Sequence, residues 1–121
     1  MTTDLFKEPI IIAGDFNWNV IWDSNKYPLY GTLTDVINLL KQNKIHSIYH
    51  SVPDAVFGIN TTFGYEKEPT LFLLKKKEKA YHIDYIFTSQ SFINNIESCF
   101  ICKYKDWIAL SDHMPIFAEY R

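Results

Sequence analysis

Pro9-Ile10-Ile11-Ile12-Ala13-Gly14-Asp15-Phe16-Asn17 is the stretch from which the rest of the chain can be read. An unbroken apolar run rich in β-branched residues suits a buried central strand. Gly14 ends the run. Asp15-Phe16-Asn17-Trp18-Asn19 then follows as a polar and aromatic loop at the strand's C-terminal end. A rigid strand aims whatever chemistry such a loop carries.

Working outward, residues 23–31 combine Asp, Ser, Asn, Pro and Gly and read as loop. A helix is predicted from Thr32. Leu33, Val36, Ile37 and Leu40 fall at i, i+3, i+4 and i+7 and make one apolar stripe. Thr32 with Asp35 is a capping-box variant, and Lys41 and Lys44 suit the helix's C-terminal end. Ile45 to His50 reads as a short strand, and residues 51–69 as a loop-rich stretch punctuated by Pro53, Gly58, Gly64 and Pro69. Thr70–Leu74 and Ala80–Thr88 are predicted to form a hairpin across the charged turn Lys75-Lys76-Lys77-Glu78-Lys79. A helical turn at 91–96, a strand at 97–104, a connection at 105–110 and a last strand at 114–120 complete the pattern. The order β-α-β-β-β-β-β, with one long helix, predicts a single domain spanning 1–121 that is α+β or a two-layer α/β sandwich, with one mostly antiparallel sheet.

Composition bounds the rest. The chain has 121 residues, 47% hydrophobic and 17% aromatic, which suits a folded chain and not a disordered tail. Its net charge of −2 lacks the basic excess of a general nucleic-acid binder. The only arginine is Arg121, so phosphate contacts elsewhere fall to lysines, amides or a metal. Cys99 and Cys102 form a C-x-x-C pair, but it lies in a predicted strand with no second pair to complete a zinc site, so a structural role is expected. With no signal-peptide pattern and no apolar run of about 18 residues, a cytoplasmic chain without a membrane partner is expected.

Three clusters beside strand ends carry candidate chemistry: Gly14-Asp15-Phe16-Asn17, His82-Ile83-Asp84-Tyr85-Ile86-Phe87, and Ser111-Asp112-His113-Met114-Pro115. Each alone has a plain structural reading. A Gly-Asp after a strand is commonly a turn, and an Asp-His before Met-Pro commonly a surface loop. Asp84 differs, because a carboxylate inside an apolar strand must be paired or hydrogen-bonded. Alternation places His82, Asp84 and Ile86 on one face. Together, Asp15, Asp84 and Asp112 offer carboxylates for a hard cation or an attacking water, Asn17 an amide donor, and His113 an imidazole for a departing oxyanion. That set suits metal-assisted phosphoester hydrolysis. It does not suit acyl transfer, since no Gly-x-Ser-x-Gly elbow accompanies Ser111. Lys75, Lys76, Lys77 and Lys79 read either as a solvated turn or as a contact for a nucleic-acid backbone. Trp18 and Trp22 read as packing or as a base-stacking pair.

In order and spacing, Ile11-Ile12-Ala13-Gly14-Asp15-Phe16-Asn17, Ile83-Asp84-Tyr85-Ile86 and Ser111-Asp112-His113-Met114-Pro115 resemble the three C-terminal motifs of the endonuclease/exonuclease/phosphatase superfamily, also called DNase I-like. Thr70-Leu71-Phe72 is similar to that family's threonine-aromatic segment. The resemblance implies that Asp15 orients and activates water, Asn17 holds the phosphate, His113 stabilises the transition state, Asp84 orients His113, and Asp112 assists metal binding, with Asp15 a possible further ligand. It implies Mg²⁺ or Mn²⁺ as cofactor, and a phosphoester substrate that ranges across the family from DNA and RNA to lipids.

The family fold is a sandwich of two similar halves, about twice this length. Its principal metal-binding Glu belongs to the N-terminal half, and Glu8 does not match that position. The chain is therefore expected to be the C-terminal half of such a domain, dependent on the other half for full activity or else an inactive binding or assembly module. A half-sandwich exposes an apolar sheet face. The expected cover is a second copy in a two-fold homodimer or a separate N-terminal half.

Overall fold

The computed structural model describes Lys7 and residues 9–24, 31–54, 58–59 and 62–121. Glu8, most of the expected loop at 23–31 and part of that at 51–69 lie outside them. In chain order the elements are β1 (Ile11–Asp15), α1 (Leu33–Gln42), β2 (Ile45–Ser47), α2 (Ile48–Ser51), β3 (Pro53–Asp54), β4 (Gly58–Ile59), β5 (Leu71–Phe72), β6 (Ala80–Tyr81), β7 (Asp84–Ser89), α3 (Gln90–Ile93), β8 (Ile96–Ile101), α4 (Tyr104–Trp107) and β9 (Ile116–Tyr120).

The α+β class holds, with α1 as the long helix. Its capping box forms as the sequence predicts: Thr32 Oγ1 accepts from the Asp35 N–H, and Asp35 accepts from the Thr32 N–H. Asp23 adds a second anchor, accepting from the Leu33 and Thr34 N–H groups and from the Trp18 indole. This ties the loop after β1 to the start of the helix.

The antiparallel pairing is divided rather than gathered into the single sheet expected. One three-stranded sheet runs β1-β7-β2, and three two-stranded ladders pair β3 with β4, β5 with β6, and β8 with β9. The divisions have local causes. The predicted strand 80–88 is cut at His82–Ile83, where Thr70 Oγ1 accepts from the Ile83 N–H at 2.9 Å and the Ile83 carbonyl accepts from Phe16 at 2.9 Å. The predicted strand 70–74 stops at Phe72, because Leu74 (φ 55°) and Lys75 (φ 59°) turn left-handed. The predicted strand 45–50 stops at Ser47, whose side chain caps α2.

Alternation gives β7 two functions. Tyr85 and Phe87, each 1% exposed, point to the α1 side. There they pack with Leu33, Leu40 and Ile45, and with Phe16 and Trp18 from the loop after β1. The opposite face presents a shallow apolar groove of about 330 Å³ lined by Ile11, Ala13, Ile86, Ile96, Ala118 and Tyr120. Ile11 is 59% exposed there and Tyr120 56%. A second cluster of Tyr49, Phe72, Ile101 and Met114 seats the β8–β9 hairpin and carries Cys99 and Trp107 at its margin. Burial pushes the Cys99 thiol up to about 12, which fits the structural role expected of it. Among the described residues no helix is long and apolar enough to cross a membrane.

His82 leaves the Asp84–Ile86 face that alternation assigned to it. The break at 82–83 turns its ring in beside Tyr49 and Tyr85, at centroid distances of 4.9 and 5.2 Å. Its Nδ1–H donates to the Glu68 carbonyl at 2.8 Å, and Nε2 is left without a protein partner. Nearby, buried Glu66 accepts from Asn19, Gly64 and His50. Burial lowers the His82 pKa, outweighing the Glu68 hydrogen bond and the Glu66 charge. The unfolded chain therefore takes up a proton near the ordinary imidazole value that the folded chain refuses until lower pH. The His82 contribution to stability therefore falls as pH drops through that interval. In urea titrations between pH 7.5 and pH 5, His82→Phe should be the less stable protein at pH 7.5, and its difference from wild type should shrink as pH falls.

Candidate active site

The β1–β7 ladder ends by setting Asp15 directly opposite Asp84. Gly14, just before, holds φ at +150°, a backbone conformation that L side chains rarely adopt. Asn17, just after, is left-handed at φ 51° and donates its N–H to Asp15 Oδ1 at 2.7 Å. Asn tolerates that conformation better than most residues. Asn17 is exposed.

His113 reaches the same place from a third segment. Its backbone bridges antiparallel to Leu71, and its N–H donates to Ser111 Oγ at 3.0 Å. Its Nδ1 lies 2.9 Å from Asp84 Oδ2 and 3.1 Å from Oδ1, so the Nδ1–H donates to Asp84. Nε2 lies 3.8 Å from Asp15 Oδ2. Asp84 is 16% exposed at its side chain, His113 36% and Asp15 48%, so the cluster opens to solvent on the Asp15 side. Ligand-type atoms of Asp15, Asp84 and His113 all lie within 4.8 Å of one another. Burial pulls the His113 pKa down, but the Asp84 hydrogen bond and the charges of Asp84, Asp15 and Asp112 together raise it.

Three of the five residues singled out by the sequence thus adjoin one another, Asp15, Asp84 and His113, and Asn17 joins them through its backbone N–H to Asp15. Asp112 stands just outside the trio. Its charge acts on His113, and its carbonyl accepts from the Phe72 N–H at 2.8 Å.

Thr70 is fully buried, and sequence reasoning placed it only at the start of a strand and in a threonine-aromatic segment, with no role of its own. Its hydroxyl oxygen accepts from both Ile83 (2.9 Å) and Asp84 (3.1 Å). Its carbonyl accepts from Met114 at 2.7 Å, and its N–H donates to Tyr81 at 2.9 Å. One residue therefore fixes the strand that carries Asp84 and the loop that carries His113. The available signal was a hydroxyl residue opening an apolar segment just upstream of the interrupted His-Ile-Asp strand. Asn19 was also read only as loop. Its Nδ2 donates to the His82 carbonyl and to Glu66, which anchors the loop after β1 from below.

Comparison of the chain with protein-family models, curated proteins and solved structures gave no match.

Two outcomes are expected. In a ¹⁵N-NMR titration, His113 should hold its proton above the ordinary imidazole range, and Asp84→Asn should move the midpoint down. A reaction that needs this proton is then fastest below the raised pKa and slows as pH rises through it. Thr70→Val should lower unfolding free energy by about 1–3 kcal/mol, because it strips the buried Ile83 N–H and the part-buried Asp84 N–H of their acceptor. Thr70→Ser should recover most of that loss in urea titrations.

Proposed function

We propose that this chain carries the bond-cleaving motifs of a metal-dependent phosphodiesterase of the DNase I-like type, nuclease-like in its substrate. The observation that supports this is the meeting of Asp15, Asp84 and His113 from three segments remote in sequence. Asp84 holds the His113 ring by its Nδ1–H, which fixes the tautomer and leaves Nε2 facing the open side. In the protonated ring, Nε2–H donates to a non-bridging phosphoryl oxygen and stabilises the charge that builds there. Asp15 orients an attacking water and takes its proton. The Asn17 amide donates to a second phosphoryl oxygen.

The donor set fits a hard divalent cation, Mg²⁺ or Mn²⁺. Asp15 offers an exposed carboxylate, with Asp84 and Asp112 close by, and such ions keep several waters and accept substrate phosphate oxygens. Bound there, the ion supplies neutralisation of phosphate charge. His113 is not needed as a ligand, since its Nδ1 is committed to Asp84.

The sheet face that carries Asp15 also carries the exposed Ile11 and the apolar groove. This favours a partner on that face: a second copy of the chain, or a separate N-terminal half that brings a further acidic ligand. The same observation supports a second reading, a catalytically inactive half-domain that serves as a homodimeric assembly module.

With Mg²⁺ or Mn²⁺, the full chain should cleave at least one of plasmid DNA, RNA and bis(4-nitrophenyl) phosphate. His113→Ala or Asp15→Ala should lower the rate by about 10²–10⁴. Light scattering run alongside should give twice the 14.3 kDa chain mass if the cover is a second copy. A folded dimer without turnover on any of these substrates would overturn the homodimeric enzyme and favour the assembly module.

A further inference from the structure

The turn that joins β5 to β6 has properties the centre does not account for. Residues 75–79 hold four lysines against one glutamate, in a chain whose net charge is −2. Residues 73–78 are all exposed, with Leu74 at 65%. Among the described residues, no ion pair engages Lys75, Lys76 or Lys79. Lys77 alone is parked, 5.0 Å above the Tyr104 ring.

The turn is also held in shape. Leu74 and Lys75 are both left-handed, a conformation that costs about 1–2 kcal/mol for each such residue. It persists because the Tyr104 hydroxyl donates to the Lys75 carbonyl at 2.8 Å and Leu73 donates to Lys79 at 2.8 Å. The cations are therefore presented on a fixed base.

Its position gives this meaning. Leu71, at the foot of the same hairpin, is the residue bridged to His113. Lys75 is four positions beyond Leu71, at most about 13 Å of extended chain. A nucleic-acid strand carries one charge per about 3.4 Å of axis, so at most about four phosphates fit that path. Tyr81 pairs with Leu71 across the hairpin and lies 5.5 Å from the Trp22 ring. Partly exposed aromatic rings therefore adjoin the path, where bases can stack. A lipid headgroup would bring a single phosphate to the centre and give those rings nothing to stack on.

We infer that the Lys75–Lys79 turn is a docking rail for a single-stranded nucleic-acid backbone leading away from His113. The inference rests on the phosphodiesterase reading for where the scissile phosphate sits. The rail supplies sequence-independent charge contacts, so its binding energy is mostly counterion release and depends steeply on salt.

The test is fluorescence anisotropy of a labelled 20-nucleotide single-stranded DNA of mixed sequence, titrated with the full chain at several salt concentrations. It compares wild type with a triple variant, Lys75→Ala, Lys76→Ala and Lys79→Ala. Cleavage of bis(4-nitrophenyl) phosphate is measured on both proteins, because that small diester reaches the centre without touching the turn. The slope of log affinity against log salt should be shallower by about 2 in the variant, and affinity at low salt at least tenfold weaker. Small-diester turnover should stay within twofold. An unchanged salt slope in the variant overturns the rail. So does tighter binding to phosphatidylserine-containing vesicles than to DNA, lost in the variant, which would make Leu73 and Leu74 a lipid contact. A slope change with no small-diester turnover by either protein supports the rail as a binding surface and removes the hydrolytic reading instead.

Discussion

Two carboxylates on adjacent strands, Asp15 and Asp84, stand directly opposite each other at the end of the β1–β7 ladder. Like charges in that relation repel and weaken a ladder. The rest of the structure answers that repulsion. His113 is brought in from a distant loop, bonded to Asp84 and facing Asp15, and its raised pKa is the same fact seen from the imidazole's side. A positive group is stabilised where two negative groups have been forced together.

What holds the carboxylates there is apolar. Tyr85 and Phe87 alternate with Asp84 and Ile86 along one strand, and the first pair is buried against α1. Burying side chains of that size contributes about 1.5–3 kcal/mol each. The opposite face of the strand is thereby free to carry charge at one end and an apolar groove along its length. Thr70 extends the same economy to the backbone, since its hydroxyl and carbonyl tie the Asp84 strand and the His113 loop to one point. A shift of either segment would have to break hydrogen bonds to a fully buried residue.

The parts legible in the sequence were those written in local chemistry. α1 follows from a 3.6-residue stripe and the Thr32–Asp35 cap, and it begins where the sequence placed it. A strand was legible in the apolar run before Gly14, but not its place: β1 is the exposed edge of the β1-β7-β2 sheet and not a buried central strand, and it runs on through Gly14 to Asp15 because both pair with β7. The gathering of Asp15, Asp84 and His113 followed from each lying beside a strand end. The misread parts were decided at a distance. Nothing near His82 announces that the Thr70 hydroxyl, 13 residues earlier, takes the Ile83 N–H and breaks the strand, which is why His82 lies on the other face from Asp84. Likewise, the left-handed pair Leu74–Lys75 depends on Tyr104, 29 residues downstream of Lys75, and propensity alone reads those residues as strand.

The central claim is that the ends of β1 and β7 and the His113 loop form one cation-dependent phosphate centre. The most direct measurement is paramagnetic line broadening in ¹H–¹⁵N spectra of the full chain, titrated with Mn²⁺ in the presence of inorganic phosphate. The account predicts that amides at 15–17, 84 and 111–113 broaden first, and that Asp15→Asn abolishes this selectivity. Broadening centred on another part of the molecule, or unaffected by Asp15→Asn, would contradict it.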